Sequence, residues 1–178
     1  QQFSAMPLQS SSPSSAPNNL VRLSLCMIVK DEAQRLPYCL QSVQDVADEM
    51  IVVDTGSRDR TVDIAQHFGA TVYHQPWQDD FALARNESLK YAKGEWILVL
   101  DADEILLADC VPELQRAIGN PDCLAITLLR QEIGALQNPY TLVARLFRRH
   151  PRIQFQRPYH ESIDDCVDSL MQESAHWT

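Results

Sequence analysis

The chain alternates short, almost wholly apolar runs with stretches in which apolar residues recur every three or four positions. Leu23–Val29 (LSLCMIV) contains a single polar residue, Ser24. Such a run, without polar alternation, predicts a strand covered on both faces. Residues 31–46 follow with Leu36, Leu40, Val43 and the adjoining Ala47 on one stripe, which predicts a helix whose regular part starts at Pro37. Residues 50–54 (MIVVD) form the second buried strand. Ser57 or Asp59 is then a cap for a helix that turns Ile64, Ala65 and Phe68 inward and stops at Gly69. Residues 70–74 (ATVYH) predict a third strand, residues 80–93 a third helix ended by Gly94, and residues 96–100 (WILVL) a fourth strand. Val111–Ile118 is a helix with Pro112 in its first turn and Gly119 just past its end. Residues 124–130 and 142–147 read as further strands, and residues 153–163 as a less regular segment. This order predicts an α/β fold: a mostly parallel central sheet with helices on both faces. Ligands in such sheets bind beyond the carboxyl ends of the strands.

The first 20 residues break the pattern. They are rich in Ser, Pro, Gln and Asn and cannot bury enough apolar surface to order themselves, so a disordered linker or tail is expected over residues 1–20. A linker there suggests that something precedes the domain, which is expected over residues 21–178. The length fits one domain.

A net charge of -9 argues against nucleic acid as a partner, because binding a polyanion needs clustered Lys and Arg. A small anion is still accommodated if a metal or a local basic group offsets its charge. The five cysteines, Cys26, Cys39, Cys110, Cys123 and Cys166, form no C-x-x-C pair and are odd in number. They predict a reducing, cytoplasmic setting with neither a zinc site nor a disulfide framework. No run approaches the roughly 18 apolar residues of a membrane span, so membrane contact would be peripheral. No signal peptide is evident.

Three strand ends carry distinctive polar residues: Lys30-Asp31-Glu32, Asp54-Thr55-Gly56-Ser57 and Asp101-Ala102-Asp103-Glu104. The topology gathers them at one sheet edge. Asp101 and Asp103 are two apart, and an extended chain would point both carboxylates the same way. Two carboxylates aimed at one point call for a cation, and hard oxygen ligands suit Mg²⁺ or Mn²⁺ completed by substrate phosphates. The competing reading is a pair of solvated acids in a turn. Asp54 either accepts a hydrogen bond from a base or ribose, or caps the following helix.

At these residues the chain resembles the family 2 glycosyltransferases. MIVVDTGSRDRT is similar to that family's second-strand signature, and ALARNESLKYAKGEWILVLDADE to its "ARN" helix followed by an acidic fourth-strand end. LSLCMIVKDE resembles the soluble branch whose first strand ends in "K(N/D)E". The resemblance is firm over residues 22–108 and looser to about residue 163. It implies a GT-A fold and a nucleotide-diphosphate sugar donor, foremost a UDP-sugar. It also implies a divalent metal and transfer to an acceptor hydroxyl with inversion. Carried over by position, Asp54 would contact the base and Asp101 the ribose or sugar. Arg85 would reach the base or phosphates, and Asp103 would ligate the metal. Lys30 and Glu32 join Asp54, Arg85 and Asp101 as donor-binding candidates. Asp101, Asp103 and His160 are the metal candidates. Thr55 and Glu104 stand where the family often has Asp, which puts the detailed contacts in doubt.

An inverting transferase needs a carboxylate to take the acceptor proton. Tyr159-His160-Glu161 resembles the branch's "HE" segment, which makes Glu161 the candidate base and His160 a metal or diphosphate ligand. Asp164 and Asp165 are reserves. Arg145, Arg148, Arg149, Arg152 and Arg157 form a basic run that is either a solvated face or a holder of phosphates. Asn86-Glu87-Ser88 matches a glycosylation sequon but falls in a predicted helix. The acceptor, whether saccharide, lipid-linked or protein, is not readable, since acceptor specificity usually lies in the C-terminal half, the weaker match here, where truncation is an open reading. Three rivals stand beside this reading. A nucleotidyltransferase would carry a Gly-rich loop where VKDEAQ stands. A doubly wound regulatory domain would use Asp54 as phosphoacceptor. A catalytically silent binding module would lack part of the acceptor site.

Overall fold

The structure, a computed structural model, describes residues 22–177 apart from residues 135, 136 and 138. The expected tail over residues 1–20 lies outside the described residues. The elements run β1 (Leu23–Val29), α1 (Leu36–Val43), β2 (Glu49–Asp54), α2 (Thr61–His67), β3 (Thr71–His74), α3 (Phe81–Tyr91), β4 (Trp96–Val99), α4 (Val111–Ile118), β5 (Ala125–Gln131), β6 (Tyr140–Arg148) and α5 (Asp164–Glu173). They build one six-stranded sheet in the order β3-β2-β1-β4-β6-β5. The first four strands pair in parallel. β6 inserts antiparallel between β4 and β5, so the sheet is mixed, parallel over four strands and antiparallel over the last two.

Alternation along the strands feeds two cores. Leu23, Leu25, Met27 and Val29 of β1 pack with Leu36, Leu40, Val43, Ala65, Leu114 and Ile118, from α1, α2 and α4. Cys26, Ile51, Ile97 and Val99 face the other way and pack with Ala82 of α3 and with Val167 and Leu170 of α5. Helices therefore cover both faces, as the βα order requires. All five cysteines are free thiols. Burial pushes the Cys26 and Cys39 thiols up to about 12, which keeps them protonated core groups.

Several local expectations shift. α1 is shorter than residues 31–46, because residues 32–35 turn tightly before Pro37 fixes the first helical turn. Neither Ser57 nor Asp59 is the N-cap of α2. Asp59 accepts instead from the Thr61 and Ala33 amides, and Ser57 from the Asp31 amide, which ties the β1 and β2 loops together. Gly94 does not end α3, which stops at Tyr91. Gly94 stands against β1: a Cβ there would lie 2.5 Å from Ser24 Oγ and 2.8 Å from Ser24 N.

Candidate active site

A cleft of about 580 Å³ opens beyond the carboxyl ends of β1 and β4. Lys30 and Glu32 line it from β1, Thr55 from β2, Asp101 and Asp103 from β4, Arg85 from α3, and His160 and Glu161 from the loop before α5. Strand-end geometry thus gathers most of the expected residues at one place.

The two β4 aspartates do not act as an extended pair. The Glu104 amide donates to the Asp101 carbonyl at 3.0 Å, and the Asp101 amide donates to the Glu104 carboxylate at 2.9 Å. The chain turns at once, and the two carboxylates part company. Asp101 faces inward: Arg85 Nη2 donates to its Oδ1 at 2.7 Å and Arg145 Nη2 to its Oδ2 at 2.8 Å. Asp103 remains 59% exposed, with the Arg35 guanidinium 4.0 Å away. Burial alone would raise the Asp101 carboxyl, but Arg85 and Arg145 outweigh it and hold it below the usual carboxylate range. Burial likewise disfavours the Arg85 cation, yet Asp101 and Glu161 keep it above its ordinary value.

Arg85 is the hub. Only 4% exposed, it donates through Nε to Glu161 Oε1 at 2.6 Å while Nη2 holds Asp101. Glu161 arrives there through two devices. The Asn86 side chain clamps the Phe155 backbone, donating to its carbonyl at 2.9 Å and accepting from its amide at 2.8 Å. Gln156 and Ser162 then bridge antiparallel and close the loop that carries Glu161. Asn86, which sequence reading met in the "ARN" stretch and in a sequon without giving it a role, is therefore a positioning residue. Glu161 Oε2 has no hydrogen-bond partner among the described residues.

Asp54 is buried behind the cleft wall. Its carboxylate accepts from the Gly56 and Ser57 amides, each at 3.2 Å, and His74 Nδ1 stands 3.4 Å away. It braces the turn that presents Thr55. An aspartate so enclosed is poorly placed as a phosphoacceptor, which weakens the regulatory-domain rival. Glu32 pairs with Arg35 at 3.6 Å, and its amide donates to Thr61 Oγ1. His160 is exposed in the cleft.

Among the described residues, four non-glycine residues hold positive φ: Asp31, Asp79, Arg157 and His160. All lie in loops beside the cleft, where strained backbone gathers when a site is preorganised. Hydrogen bonds hold three of them. Asp31 accepts from the Arg58 amide, Asp79 from the Trp77 indole, and Arg157 donates to Asp165.

The basic run divides: Arg145 and Arg148 are held against the fold, while Arg149, Arg152 and Arg157 stay exposed, as a solvated face would. Arg145 grips Asp101, Arg148 pairs with Glu95 and lies over the Trp96 ring at 4.7 Å, and Arg149 donates to the Gly94 carbonyl at 2.9 Å. Arg152 pairs with Glu173, and Arg157 with Asp165, the reserve carboxylate. Sequence reasoning missed Trp77 and Phe81, which also line the cleft. The one available signal was the four-residue spacing from Phe81 to Arg85, which sets both on one helix face.

Among the described residues, no helix is long and apolar enough to cross a membrane. Over residues 24–178 the chain matches the family model described as Glycosyl transferase family 2. It is 52% identical over 158 residues to a TPR repeat-containing protein of Synechococcus elongatus, a match covering 89% of this chain and 39% of that protein. It is 31% identical over 151 residues to the prophage-derived glycosyltransferase SunS of Bacillus subtilis, covering 81% of this chain and 35% of that protein. The chain thus spans little more than a third of these relatives. Glucosyl-3-phosphoglycerate synthase from Mycobacterium tuberculosis, solved with UDP, superposes with a TM-score of 0.65 at 15% identity, covering 94% of this chain and 74% of that one. Sheet order, cleft position and these matches agree: the chain has a GT-A fold and belongs to glycosyl transferase family 2.

Proposed function

We propose that this chain transfers a sugar from a UDP-sugar to an acceptor hydroxyl with inversion, with Glu161 as the base. One observation carries the reading. Arg85 joins the Glu161 carboxylate to Asp101 inside a strand-end cleft, through bonds of 2.6 and 2.7 Å. That grip fixes one oxygen of Glu161 and leaves Oε2 for the acceptor proton, which suits general-base catalysis. The binding of UDP by a structural neighbour of the same fold supports the choice of nucleotide.

Among the described residues no three His, Cys, Asp or Glu side chains stand together as a metal cage, so a divalent cation, Mn²⁺ or Mg²⁺, would find one or two protein ligands here. Such ions take one or two carboxylates and complete their shell with substrate phosphates and water. Asp103, exposed in the cleft, and His160, exposed beside it, would hold the ion. Asp101 is the weaker ligand, because both of its oxygens already accept from guanidinium groups. Bound there, the cation would offset charge building on the departing diphosphate. Lys30 adds a positive group on the β1 side for the same phosphates, and Thr55 borders the nucleoside end.

The test is UDP release from UDP-glucose and UDP-N-acetylglucosamine, followed beside UDP-induced thermal stabilisation. Glu161→Gln is expected to lower turnover by roughly 10²–10⁴-fold while keeping the UDP shift. Asp103→Ala is expected to erase the part of the UDP shift that needs Mn²⁺. Full turnover in Glu161→Gln sinks the base assignment. An undiminished Mn²⁺ effect in Asp103→Ala sinks the metal assignment.

A further inference from the structure

Three aromatic side chains line the same cleft as Glu161: Trp77, Phe81 and Tyr159. They form one wall. Trp77 and Phe81 meet edge to face with centroids 4.7 Å apart, and Phe81 and Tyr159 do so at 6.0 Å. Phe81 is 37% and Tyr159 57% exposed, so the wall offers open apolar surface to the cleft.

The wall is fixed rather than fluid. The Trp77 indole N–H donates to Asp79 at 2.9 Å, which sets the plane of that ring. The Phe81 amide donates to the Pro158 carbonyl at 2.9 Å, which locks the start of α3 to the loop bearing Tyr159. Asp79 and His160, flanking the wall in sequence, are two of the four residues at positive φ. None of these contacts is needed to bury a core, since Phe81 and Tyr159 stay partly in solvent.

We infer that Trp77, Phe81 and Tyr159 form the acceptor subsite, and that the acceptor is a saccharide whose pyranose ring lies with its apolar face on them. The inference rests on Glu161 as the base. An acceptor hydroxyl giving its proton to Oε2 must come within hydrogen-bond reach of it. The ring carrying that hydroxyl then sits beside Tyr159, two residues before Glu161, and beside Phe81, one helical turn before the Arg85 that grips Glu161. A pyranose suits both neighbours. Its C–H face is apolar and faintly positive and matches the negative face of an aromatic ring. Its hydroxyl edge finds Glu161. A site holding a few convergent polar groups against an aromatic wall is the usual form of a small-ligand pocket.

The test uses methyl β-D-glucopyranoside, methyl β-D-galactopyranoside and methyl N-acetyl-β-D-glucosaminide with the whole chain, UDP and Mg²⁺. Saturation-transfer NMR reads which hydrogens touch protein. At least one glycoside is expected to give signals on the axial hydrogens of a single ring face. Tyr159→Ala and Phe81→Ala are each expected to weaken its binding roughly tenfold. Phe81→Trp should hold binding near the original, and UDP affinity by calorimetry should stay within about twofold in Tyr159→Ala, the variant of the most exposed ring. Three outcomes overturn the inference: no glycoside gives a signal, binding survives both alanine variants, or UDP affinity falls with the wall, which would make it a nucleoside platform. Failure of the base assignment is separate, because it appears as retained turnover in Glu161→Gln while glycoside binding still tracks the aromatic residues.

Discussion

Strands β1, β2 and β4 bury nearly every side chain, whereas the β5–β6 hairpin leaves Leu129 and Leu142 65% and 67% exposed. Both belong to one sheet. The parallel half is held by helices on both faces, so its strands are apolar throughout and its ends are rigid. The hairpin leans on that half at one end only: Leu146 and Phe147 are buried, while its far end reaches into solvent. Function follows the same division. The parallel half sets out Lys30, Thr55, Asp101 and Asp103, while the hairpin contributes Arg145, which grips Asp101 at its buried end, and Arg130, which stands 3.7 Å from Glu104. Precision at the site comes from the half that is packed on two sides, and the hairpin adds charge to it.

That contrast can be broken by substitution, most sharply in the parallel half. Leu98, fully buried in β4, is expected to lose roughly 2–5 kcal/mol on change to Ala, because a cavity opens between two packed layers. Urea denaturation reads it, and a loss below 1 kcal/mol would mean that the parallel half relaxes as freely as a surface. Next comes Gly94→Ala. The added Cβ would meet Ser24 and the Trp96 carbonyl within 3 Å, and the backbone must shift at the entry to β4. A destabilisation of roughly 1–3 kcal/mol is expected, with a lower melting temperature. An unchanged melt would show that the contact between Gly94 and β1 is loose. The smallest effect belongs to the hairpin: Leu142→Ser should change stability by less than about 0.5 kcal/mol. A larger loss would reveal that its far end is packed.

The sequence made the parallel half legible because the signal there is local. An apolar run of four to seven residues followed by an amphipathic stretch states its own structure, and the strand ends then mark where ligands bind. Most of the residues singled out at those ends do line one cleft. α5 escaped notice, since it buries only Val167 and Leu170 among polar neighbours. The hairpin's strands were visible, but not that β6 would lie between β4 and β5, because strand pairing depends on partners distant in sequence.

Composition and pattern alone determined the α/β class, the free thiols and the edge of the sheet where the cleft opens. The division of labour between Asp101 and Asp103 was decided by tertiary structure. Their spacing is symmetric on paper, yet one faces Arg85 and Arg145, contributed by α3 and β6, and the other faces solvent. The same holds for Glu161, which reaches the cleft only because Asn86 clamps Phe155 and Arg85 stands ready to receive it. A local pattern fixes which face of an element is apolar. What a charged side chain does depends on the charge that folding brings within 3 Å, and that is set by residues tens of positions away.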